Sequence, residues 1–133
     1  MARRRVVITG LGIVSPVGNT VEQAWQNILA GRSGIDRITR FDVSTFPVRI
    51  GGEVRNFDLG QYLSPKEARR MDTFIHYGMA AGIQAIKDAG LEANPANAER
   101  IGVSIGSGIG GLPLIENTHD EYLAGGVRKV SPF

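Results

Sequence analysis

The sequence contains no cysteine, and only two histidines, His76 and His119, among its 133 residues. That excludes disulfides, thiolate metal sites and a cysteine nucleophile within this stretch. One-sided charge is missing as well. Fifteen basic residues face thirteen acidic ones, a net charge of +2 that gives no reason to expect nucleic acid. No run approaches the ~18 uninterrupted apolar residues of a membrane span. The basic start MARRR leads into VVITGLGIV, but Gly10, Gly12 and Pro16 interrupt it and no small-residue cleavage pattern follows. We therefore read no signal peptide and expect a cytoplasmic protein. Internal repeats, low-complexity tracts and linkers are also absent, which leaves one domain or part of one.

What the chain has in excess is glycine. Its 18 glycines are about twice the usual share, and they gather at the junctions between patterned segments. With 42% apolar residues, a packed core is the default expectation. Arg5–Thr9 (RVVIT) and Ile101–Ile105 (IGVSI) are short apolar runs that predict buried strands. Thr20 and Gln23 form a capping box ahead of Val21, Ala24, Trp25, Ile28 and Leu29, which repeat at helical spacing until Gly31. Val48, Ile50 and Val54 alternate around Gly51–Gly52 and predict a short strand or hairpin off the main sheet. Ser64, Pro65 and Glu67 open a second capped helix. Met71, Phe74, Ile75, Met79, Ile83 and Ile86 keep helical spacing to about Ala89, with Gly78, Ala81, Gly82 and Ala85 on another face. A helix apolar on one side and small on another should be packed on both. Leu112–Leu123 predicts a last helix.

The join between Ile101–Ile105 and that last helix is the first candidate site. Gly106, Gly108 and Gly111 satisfy the outline of the dinucleotide fingerprint G-x-G-x-x-G. The fingerprint also requires an acidic residue about 20 positions on, at the end of a second strand. Asp120 and Glu121 instead fall inside the predicted helix. The glycines are better read as letting strand and helix pack closely than as a nucleotide-binding module. Ser104 and Ser107 flank the turn without forming G-x-S-x-G, so a serine hydrolase is unsupported. His76 and His119 stand apart on predicted helices and read as packing residues. Lys66, Arg69 and Arg70, at i, i+3 and i+4, predict a shared positive face on the helix after Ser64. Such a face is either merely solvated or a dock for an acidic partner.

Taken together, the segments RRVVITGLGIVSPVGNT, LSPKEARRMDTFIHYGMAAGIQAIKDAGL, RIGVSIGSGIGGLPLIE and RKVSPF resemble, in order, the N-terminal part of the β-ketoacyl-[acyl-carrier-protein] synthases. Ile109 suggests the type II branch, since type I enzymes carry another glycine there. The resemblance implies a thiolase-like, layered α/β/α fold of two similar halves. Residues 1–133 would supply an incomplete N-terminal part of it. It also implies decarboxylating Claisen condensation in a homodimer, with acyl carrier protein as partner and no cofactor, metal, nucleic acid or membrane. Gly108 and Ile109 would belong to the acyl pocket, Ile109 as a movable gate, and Lys66, Arg69 and Arg70 would bind the carrier. The catalytic cysteine and two histidines are expected beyond Phe133, so this stretch would carry no catalytic residue. A non-catalytic chain-length-factor-type subunit is the alternative reading.

Overall fold

The computed structural model describes residues 3–131. Helix α1 (Val21–Leu29) starts where the sequence places it, with the Thr20 hydroxyl accepting from the Gln23 N–H at 3.2 Å. Strands β1 (Ile35–Arg37) and β2 (Ile50–Gly52) form an antiparallel pair, with Ile35 opposite Gly52 and Arg37 opposite Ile50. Helix α2 (Pro65–Ala68) is a single turn, α3 (Thr73–Asp88) is the longest described element, and α4 (Leu112–Gly125) is followed by a short 3-10 turn at Val127–Lys129.

The β1–β2 ribbon is tied by charge. Arg55 donates to Asp36 at 2.7 Å and to the Arg37 carbonyl at 2.8 Å. Glu53 accepts from the Thr39 N–H, the Thr39 hydroxyl and the Arg40 N–H, at 2.8–3.1 Å. The Thr39 N–H is the first cause holding the Glu53 carboxyl below its ordinary range. Only the β2 half of this ribbon was expected. Ile35–Arg37 has no alternation to reveal it, and all three of its residues are exposed.

Two expectations need correction. Arg5–Thr9 and Ile101–Ile105 form no hydrogen-bonded ladder; the sole sheet among the described residues is β1–β2. β-branched composition measures fit to a pleated, covered surface, whereas a strand also needs a neighbour to pair with. Among the described residues neither segment has one, and Val6 is left 93% exposed. The second correction concerns the helix after Ser64. It stops at Ala68, and α3 begins separately after an Asp72 cap.

The loop that follows the first segment is instead held on α3. The Gly10 and Gly12 backbones lie against the carbonyls of Ala85 and Ala81, on the small-residue face foreseen in the sequence. Asp88 accepts from the Leu11 N–H at 2.9 Å. Gln84 accepts from the Ile13 N–H at 3.3 Å and donates to the Asn19 carbonyl at 2.8 Å and the Tyr62 hydroxyl at 2.9 Å. Side chains thus satisfy backbone groups that a ladder would otherwise pair. Ala24, Val43, Leu63 and Ala80 are the buried apolar residues among those described, and Ala80 puts α3 at the centre.

Candidate functional site

The basic trio is built on a capped turn. The Ser64 hydroxyl accepts from the Glu67 N–H at 3.4 Å, while Glu67 accepts from the Ser64 hydroxyl at 2.6 Å and the Ser64 N–H at 3.0 Å. Those two donors, the hydroxyl first, hold the Glu67 carboxyl below its ordinary range. The acid's charge is therefore committed to the helix N-terminus. Lys66 lies inside α2, Arg69 is its C-cap, and Arg70 follows in the turn closed by the Arg70 N–H to the Glu67 carbonyl at 3.0 Å. All three are exposed. The expected shared helical face is thus corrected to a single turn and the bend after it, because α2 ends before both arginines.

This bend forms one wall of an open cleft of about 610 Å³. Arg69 and Arg70 stand on one side, and Leu114, Asn117 and Glu121 of α4 on the other.

Asp72 joins these pieces. Its carboxylate accepts from the Thr73 N–H, capping α3, and from the Leu114 N–H at 3.3 Å, in the first turn of α4. Gly111, at φ +76°, begins α4 in the left-handed region, and a Cβ there would meet Asp72 Oδ2 at 3.4 Å. A Cβ at Gly110 would lie 2.6 Å from the Phe74 ring, so only glycine fits beneath that ring. Gly106 and Gly108 face open space, and Ile109 is 80% exposed. An apolar groove of about 260 Å³, lined by Phe74, Gly78, Met79 and Ile105, runs beside the turn.

These contacts count against a phosphate cradle. A carboxylate already sits at the N-terminus of α4, where an anion would compete with it, and Asp120 and Glu121 lie within α4. His76 directs Nε2 to the Ala68 carbonyl at 3.0 Å and so ties α3 to α2. His119 lines an open apolar cleft with Leu114, Ile115 and Tyr122. Among the described residues, no group of three His, Asp or Glu side chains is placed to hold a metal. Sequence reasoning passed over Asp72 and counted Phe74 only among the apolar positions of the helix. The signal for Asp72 was its position directly before an apolar-periodic run, but Met71 extends the same period one residue earlier and hides the cap.

Residues 3–133 match the family described as beta-ketoacyl synthase, N-terminal domain. The chain belongs to the β-ketoacyl synthase family. Across all 133 residues it is 60% identical to a Vibrio cholerae protein named 3-oxoacyl-[acyl-carrier-protein] synthase 2, and 55% identical to one of the same name from Coxiella burnetii. It spans 32% of the length of each. Among solved structures, the ishigamide ketosynthase/chain length factor superposes with a TM-score of 0.75 at 32% identity, over 98% of this chain and 33% of that one. A type II PKS acyl-carrier protein in complex with its ketosynthase gives the same TM-score and coverage at 25% identity. This synthase segment thus has part of a thiolase-like α/β fold, and its first and glycine-rich segments remain unpaired in the structure of these residues alone. No described helix is long and apolar enough to cross a membrane.

Proposed function

We propose that this segment is the N-terminal part of a β-ketoacyl-[acyl-carrier-protein] synthase II, which lengthens acyl chains by decarboxylating Claisen condensation of acyl and malonyl carrier thioesters. The observation that carries the reading is 60% identity, without loss of coverage, to a protein named for that activity. In this reading Lys66, Arg69 and Arg70 receive the acidic surface of acyl carrier protein, and complementarity of charge speeds and orients docking. Gly108 and Ile109 form one wall of the acyl pocket. Ile109 is the gate, a branched side chain among glycines that swings without dragging a rigid shell. The nucleophilic cysteine and two histidines belong to the remaining two thirds of the enzyme, which acts as a homodimer in the cytoplasm.

The coding sequence beyond Phe133 tests this reading directly. A cysteine followed by two histidines is expected; any other residue at the cysteine position would make the protein a non-catalytic chain-length subunit. The 133 residues alone should give no condensation above a blank, and turnover by them would refute the division of labour.

A further inference from the structure

We propose that Phe74 and Asp72, at the start of α3, position the glycine turn that bears Ile109 and so help to set which acyl lengths the synthase accepts. The proposal rests on the reading of Ile109 as the acyl gate. Its grounds are two contacts that hold the turn immediately after Ile109. The Phe74 ring covers Gly110 so closely that a methyl group would sit 2.6 Å from it. Asp72 fixes the residues that follow by accepting from the Leu114 N–H at 3.3 Å. The Ile115 N–H to the Gly111 carbonyl, at 2.9 Å, continues that anchoring into α4.

Ile109 directly precedes the covered Gly110. With that end fixed, its excursions pivot about Gly110. Phe74 therefore limits how far the gate retracts. The same two residues follow closely on Arg69 and Arg70, so the gate's anchor and the carrier patch share one short stretch of backbone from α2 into the first turn of α3.

The test uses the full-length synthase and compares kcat/KM for medium-chain and short-chain acyl carriers. Phe74→Leu removes the ring edge from Gly110 and should move the medium-to-short ratio by about threefold or more. Phe74→Tyr keeps the ring and should retain the parental ratio, a distinction that packing stability alone would not produce. Ile109→Ala is run beside them. If Ile109→Ala shifts the ratio and a folded Phe74→Leu does not, the positioning role is overturned while the gate reading stands. If Ile109→Ala leaves the ratio unchanged, the gate reading fails and the positioning role falls with it. Should Phe74→Leu not fold, Asp72→Asn, which keeps one acceptor oxygen, replaces it in the comparison: a shifted ratio supports the proposal and an unchanged one rejects it.

Discussion

Gly12 rests on the carbonyl of Ala81, one turn from where Gly10 rests on that of Ala85, so the opening segment and α3 meet backbone to backbone. No side chain can be inserted at this contact without separating them. Gly12→Ala should therefore cost roughly 1–3 kcal/mol, the usual penalty for overpacking a close contact. Thermal unfolding of the full-length protein measures it. A melting temperature equal to the parent's would mean that the two segments separate freely.

The proposed docking role of Lys66, Arg69 and Arg70 predicts a particular kinetic pattern. Replacing Lys66, Arg69 and Arg70 with Glu in the full-length synthase should raise KM for carrier-linked substrates by about tenfold, equivalent to ~1.4 kcal/mol of lost docking. The rise of KM with salt should flatten or reverse, because the screened attraction is replaced by a repulsion that salt also screens. In the proposed role the patch meets the carrier and not the reacting atoms, so kcat should change little. Steady-state kinetics at low and high ionic strength decide it, and an unchanged KM would remove the patch from the docking surface.

Acid should loosen α2 through Glu67. Its carboxyl is held below the ordinary range by the Ser64 hydroxyl and then the Ser64 N–H, so the folded chain binds this proton less readily than the unfolded chain. In the interval between the two pKa values the unfolded state carries more protons, and stability rises with pH there. The contribution is complete above the ordinary glutamate range and fades as pH falls through the lowered value. Glu67→Gln should flatten that part of the stability curve. Denaturant midpoints measured from neutral to acidic pH for parent and variant provide the comparison, and parallel curves would dismiss the capping box as a source of acid sensitivity.

Helix starts were the most legible part of this chain, since Thr20 with Gln23, and Ser64 with Glu67, announce local hydrogen bonds that need only a few neighbouring residues. The small face of α3 was legible for a similar reason: Ala81 and Ala85 repeat at helical spacing whatever packs on them. β1 was not, because three residues without alternation acquire strand geometry only by pairing with Ile50–Gly52. The break before Asp72 was hidden by an apolar period that runs across it.

The sequence by itself determined the family, the order of the helices, the absence of a cysteine nucleophile from these residues, and the presence of cations at positions 66, 69 and 70. All of these reside in residue identity and short-range spacing. Tertiary structure alone decided that α2 ends before the two arginines, that one carboxylate serves both α3 and α4, and that a phenyl ring lies over Gly110. Those relations join residues up to 42 positions apart, as Asp72 and Leu114 are, and local spacing carries no record of such distances. The same physics left Arg5–Thr9 and Ile101–Ile105 unpaired, for a strand is completed only by the neighbour that accepts its hydrogen bonds.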